Sequence, residues 1–97
     1  MAATDILVQF FAGAFATNSV PHLVHGLSGK PFRTPFVRLS ATKLSGPVLN
    51  VVWGWGNLAV AYGLYSASAS TTLLPLALGG LIMGVVLAMI FARDHAA

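Results

Sequence analysis

The chain has 97 residues, of which 57% are hydrophobic and only 7% charged, with a formal net charge of +3 and no cysteine. So little polar material cannot coat a water-soluble globule, so an apolar solvent is expected around much of the surface. Disulfides, thiolate metal sites and cysteine nucleophiles are excluded, and five basic residues without an aromatic-basic stripe do not make a nucleic-acid surface.

Charge is unevenly placed. No Asp, Glu, Lys or Arg occurs between Ile6 and Gly29, and none between Leu44 and Ala92. The first apolar segment, about 6–27, is long enough at 1.5 Å per residue to match a hydrocarbon core of ~30 Å. Thr4 is the expected N-cap, and Asp5 sits where a carboxylate favours the positive end of a helix. Asp5 also stands where a signal peptide would carry positive charge, so a retained helix is expected. Pro21 removes one backbone donor and crowds the carbonyl of Thr17, which predicts a kink or a break near it.

The connection 28–46 carries Lys30, Arg33, Arg38 and Lys43 and no acid. These are expected to meet lipid headgroups, with a short interfacial helix over 36–44 opened by Thr34 and Pro35. The second apolar segment, 47–66, starts with Pro47 in the tolerated first turn and places Asn50, Gly54, Asn57 and Ala61 on one helical face. The uncharged run from Ser66 to Thr72 reads as a short hairpin connection. The third segment, 73–92, follows Thr72 as N-cap and carries a small-residue stripe of Ala77, Gly80, Gly84 and Ala88, through which another helix can approach closely.

The fold expected from these segments is all-α: one domain of three transmembrane helices. Four basic residues in the first connection against none in the second place that connection in the cytoplasm, the N-terminus outside and the C-terminus inside.

Asn18, His22 and His25 lie at spacings of four and three, on one face of a continuous first helix. With Asn50 and Asn57 they form a candidate polar site between helices 1 and 2. Polar groups at membrane depth face a bundle interior, either as hydrogen-bonding glue or as a ligand or proton site. Two histidines do not complete a zinc shell, His95 is too close to the chain end to serve as a third ligand, and no metal or cofactor is assigned. Asp5 and Asp94, the only acids, sit at the ends of apolar segments, so neither a hydrolytic triad nor a two-carboxylate mechanism can be assembled and no catalytic residue is named.

Asn18-Ser-Val-Pro-His22, His25-Gly-x-Ser-Gly-x-Pro-Phe-x-Thr-Pro-Phe36 and Val48-Leu-Asn-Val-Val-Trp-Gly54 followed by Asn57-Leu58 carry a resemblance. In these pieces the chain resembles a family of small, uncharacterised bacterial integral membrane proteins. The resemblance covers the first two segments and their connection, and implies a multi-pass protein of the bacterial inner membrane without supplying an activity. The expected role is a structural or accessory membrane protein, as a homo-oligomer or part of a larger complex, associating through glycine-rich helices. The alternatives are a small oligomeric transporter or proton-coupled carrier built on the polar site, and a haem- or metal-binding membrane subunit using His22 and His25.

Overall fold

A computed structural model describes residues 2–35, 44–69 and 72–95, excluding the side chain of His95. The expected helix over 36–44, with Arg38 and Lys43, therefore lies outside the described residues. Three helices follow one another: α1 (Ala3–Leu27), α2 (Pro47–Ala67) and α3 (Leu74–His95). Their bounds lie close to those read from hydropathy, because each apolar run is closed by a residue that cannot continue a helix or by a polar stretch.

α1 is the middle element, packed against both α2 and α3, and among the described residues α2 and α3 do not meet. α2 runs antiparallel to α1, since Gly26 approaches Pro47 while Gln9 donates to Ser68. α3 runs parallel to α1, with Gly13 beside Leu76 and Thr17 beside Gly84. The result is an elongated three-helix arrangement of 45 × 27 × 23 Å with α1 in the middle.

The two seams of α1 differ in kind. On the α3 side the backbones touch: a Cβ on Gly13 would overlap the Leu76 carbonyl, and one on Gly79 would overlap the carbonyl of Phe10. Glycine is required there by space alone. On the α2 side Gly26 packs on Pro47 and Val51, and Gly54 on Leu23, but polar side chains dominate the interface. Gly79 and Gly13 do not belong to the expected stripe. Of that stripe, Gly80 and Gly84 face Thr17 of α1, whereas Ala77 and Ala88 are exposed. The seam is rotated from the expected stripe by about one residue, toward Leu76 and Gly79.

α1 begins at Ala3 after an Ala2 cap that makes no side-chain hydrogen bond, so Thr4 lies inside the first turn and is not the N-cap. Asp5 finds another partner, accepting a hydrogen bond from the Ala69 N–H at 3.1 Å and so tying the end of α2 to the start of α1. Pro21 does not break the helix, which runs unbroken to Leu27. One missing donor is a small loss for a helix held on both sides. The stop comes at Gly29, whose φ of 73° is the left-handed conformation that ends helices. There the Gly29 N–H donates to Gly26 O and the Lys30 N–H to His25 O, satisfying the last carbonyls.

The expectation of three crossing helices is overturned. Among the described residues one helix is long and apolar enough to cross a membrane: Leu74–Asp94, 21 residues with a mean hydropathy of 2.4. α1 carries Gln9, Asn18, His22 and His25, and α2 carries Asn50 and Asn57, each of which lowers the mean hydropathy of its helix. The N-outside, C-inside orientation and the multi-pass topology rested on three crossings and fall with them.

Replacing Gly13 by Leu should destabilise the helical fold by about 3 kcal/mol, because overpacking here meets backbone and not a movable side chain. Gly56→Ala, at an exposed helical position with nothing within 4 Å of the added Cβ, should stabilise by about 0.5–1 kcal/mol. Thermal unfolding of both variants, followed by circular dichroism in mild detergent, checks the contrast.

Candidate functional site

The interior of this arrangement is polar and its surface apolar. The buried hydrophobic residues are all alanines, Ala12, Ala14 and Ala61, whereas Gln9, Ser19, His22, Thr34, Ser45, Asn50 and Asn57 are also buried. Large apolar side chains point outward instead, with Leu27, Val48 and Tyr62 each more than 70% exposed.

The five expected site residues separate into three groups. Asn18 Nδ2 donates to Asn57 Oδ1 at 2.9 Å, and Asn57 Nδ2 donates in turn to the Trp53 carbonyl at 2.9 Å. One turn further along α1, His22 Nδ1 lies 2.9 Å from Asn50 Oδ1. His25 leaves this seam: its Nδ1 donates to the Pro21 carbonyl at 2.7 Å, and its ring stacks on Phe32 with centroids 4.0 Å apart.

Asn50 is the centre of the arrangement and is fully buried, at 0% exposure. Its Nδ2 faces three carbonyls, those of Phe32 (3.1 Å), Ser45 (3.0 Å) and Gly46 (3.0 Å). Carbonyls only accept, so the amide orientation is fixed and Oδ1 must face the histidine. An amide oxygen also only accepts, so His22 carries its proton on Nδ1 and donates it.

Phe32 and Ser45 are joined to each other by an antiparallel bridge, with the Phe32 N–H donating to Ser45 O at 3.0 Å and the Ser45 N–H to Phe32 O at 2.9 Å. The Thr34 and Ser45 hydroxyls are hydrogen-bonded in the same pocket. Asn50 thus clasps the two ends of the long connection to the start of α2. Phe32 then lies edge-on to His22 and to Phe91 of α3, at 5.4 and 4.8 Å between centroids, so the clasp reaches all three helices.

Burial lowers the pKa of His22 below its ordinary 6.5; the Asn50 hydrogen bond opposes this and the nearby His25 adds to it. A neutral His22 is therefore the form that fits the seam.

Among the described residues no group of three or more His, Cys, Asp or Glu gathers that could hold a metal ion. His22 and His25 each commit Nδ1 to a protein acceptor, so what remains for a ligand is one Nε2 on each of these two rings. Of the basic residues, Arg33 pairs with Asp94 at the end of α3, its Nη1 lying 3.1 and 3.2 Å from the two carboxylate oxygens. Lys30 is exposed beside the α1 terminus.

Gln9, Thr34 and Ser45 belong to the polar interior, and Phe32 lines it, though none of them was expected at the site. Gln9 had a usable signal, as the only amide in the apolar run before Asn18. Thr34 read as the cap of the expected interfacial helix and Ser45 as part of the entry to α2, so neither pointed to the interior.

No family model, no curated protein and no solved structure matches the chain.

Asn50→Ala should cost about 3 kcal/mol, because the Phe32, Ser45 and Gly46 carbonyls and His22 all lose a partner at once. Asn57→Ala, which breaks one interhelical bond, should cost about 1 kcal/mol. Equilibrium unfolding of the two variants should rank them in that order. His22 supplies a pH test as well. Its folded pKa lies below its unfolded value of about 6.5, so its contribution is complete above that value. It is lost as pH falls through the folded pKa. The melting temperature of the wild-type chain should drop on acidification below about pH 6.5, and His22→Gln should flatten that dependence.

Proposed function

We propose that the chain is a small accessory membrane protein, anchored by α3 and serving as a packing partner within a larger membrane assembly. The observation that carries this is the state of α3: only 6% of its apolar stretch is buried inside the molecule, although its mean hydropathy is 2.4. Such a helix needs a covering that the rest of the chain does not supply. The polar interior supports the same reading, since a protein that hides amides and exposes Leu, Val and Trp matches an apolar solvent better than water. The bacterial inner membrane is the location that the family resemblance implies.

An accessory role is favoured over transport or catalysis by how completely the polar groups satisfy one another. Asn50 and Asn57 each spend both amide ends on protein partners, and His22 is held in one tautomer by a fixed acceptor. Groups so engaged hold helices together and have little left to offer a substrate. The glycines of the α1–α3 seam are likewise consumed inside the chain. Association with other helices therefore falls to the outer face of α2, where Gly56 and Gly63 have no neighbour within 4 Å and Trp55 and Tyr62 are exposed.

Leu81 and Val85 are exposed on α3, so lysines there leave the internal seams untouched. Each lysine near the centre of a crossing helix costs about 2.5–3.5 kcal/mol, so Leu81→Lys with Val85→Lys should move the protein from the carbonate-resistant membrane pellet to the supernatant. Retention of the double variant in the pellet, with the wild-type amount, would refute anchoring by α3.

A further inference from the structure

Two adjoining concavities run along the α1–α3 seam and share Phe91. The first is a groove of about 270 Å³ lined by Thr17, Val20, Pro21, Val24, Gly84, Leu87 and Phe91, almost wholly apolar. Because α1 and α3 are parallel, it rises along both helices over about seven residues, ~10 Å at the helical rise. It exists because Gly84 has no side chain: a Cβ there would meet only Thr17 Cγ2, at 3.6 Å. The second is a cleft of about 430 Å³ directly beyond it, lined in part by His25, Phe32, Arg33, Leu44 and Asp94.

The chemistry changes from one to the other as it does along a lipid. At the cleft end of the molecule the described charges are Lys30, Arg33 and Arg93 against Asp94 alone. Arg33 engages Asp94 through Nη1 only and is 47% exposed, so the remaining guanidinium N–H groups point to no protein acceptor among the described residues. A guanidinium with spare donors beside a net positive rim suits a phosphodiester. With α3 crossing a bilayer, Asp94 marks its end, which sets the cleft at headgroup depth and the groove at acyl-chain depth.

We propose that groove and cleft form one binding site for an anionic phospholipid, with an acyl chain along Val20, Val24 and Leu87 and the phosphodiester at Arg33. The site rests on the anchoring of α3 proposed above for its depth, but its chemistry can be tested apart from that. His25 stacked on Phe32, with Phe91 edge-on to Phe32, forms the wall over which the glycerol region passes. Arg33 is a binding residue already half-neutralised by Asp94, so the acid limits the affinity of the site for anions.

Native mass spectrometry of the full chain, delipidated in a phosphate-free detergent and titrated with phosphatidylglycerol, phosphatidylethanolamine or inorganic phosphate, tests this. The expected result is one phosphatidylglycerol per chain, bound at least about fivefold more tightly than phosphatidylethanolamine. Gly84→Leu fills the groove and should weaken binding about tenfold, and Arg33→Gln should weaken it about fivefold. Asp94→Asn, which frees Arg33, should bind at least as tightly as wild type. Leu87→Trp fills the groove from the next turn of α3 and stands in for Gly84→Leu should that variant melt early by circular dichroism. Equal binding of the two lipids, displacement of lipid by equimolar inorganic phosphate, or no weakening in a folded groove variant would each overturn the proposal. Carbonate extraction of the wild type is read separately, so a failure of anchoring and a failure of the lipid site are distinguishable.

Discussion

Everything on the α2 side of the molecule depends on one carboxamide. Asn50 sits at the start of α2 with no exposure, and its donors hold carbonyls from both ends of the connection while its acceptor holds His22 of α1. An unsatisfied carbonyl in apolar surroundings costs several times what a formed hydrogen bond contributes, so removing this hub is far more damaging than its bond count implies. The same geometry sets the direction in which α2 leaves the connection. Gly46 and Pro47 provide an extended entry and a helix-compatible first residue, but it is the Asn50 clasp that turns that entry against α1.

The α3 side obeys a different rule. Among the described residues the α1–α3 contact is backbone against backbone around Gly13, Gly79 and Gly80. Close approach of this kind gains dispersion and requires no side-chain ordering, which is why it serves in surroundings where the hydrophobic effect between helices is absent. The Arg33–Asp94 ion pair adds a link at the far end, but at 47% and 33% exposure it contributes little to stability. Its larger consequence is electrostatic: the Asp94 carboxylate offsets one of the cations described at that end, Lys30, Arg33 and Arg93.

The three helices and their ends were legible because apolar runs bounded by Gly, Pro and charge have few other readings. Three crossings were not, since isolated amides within long apolar runs lower the mean hydropathy without interrupting the apolar pattern. Gln9, Asn18, Asn50 and Asn57 are what separate α1 and α2 from α3. Asn18, His22, Asn50 and Asn57 were grouped from their helical faces, but which amide meets which partner was not legible: Asn18 pairs with Asn57 and His22 with Asn50 only once α2 is set antiparallel to α1. His25 did not follow, because once past Pro21 a local acceptor, the Pro21 carbonyl, was within reach of its ring. The exact α3 seam was also hidden: Ala77, Gly79, Gly80, Gly84 and Ala88 are all small, and only the position of the Phe10 carbonyl decides that Gly79 must be glycine.

A polar seam and a glycine seam on opposite faces of one helix give α1 two unlike tasks. Toward α2 it must present a fixed hydrogen-bond register, since sliding by one residue would strand Asn57, Asn50 and His22 together. Toward α3 its backbone must come close, which fixes distance but specifies register only through where the glycines fall. The α1–α3 seam is consequently the one able to open locally without leaving a buried polar atom unpaired, and it is there that the Gly84 groove lies. Lipid entry along that seam would displace only apolar contacts, whereas entry along the α1–α2 seam would have to break the Asn50 clasp. The difference in cost between these two routes favours the α1–α3 side for the proposed lipid contact and leaves the α1–α2 side to hold the fold.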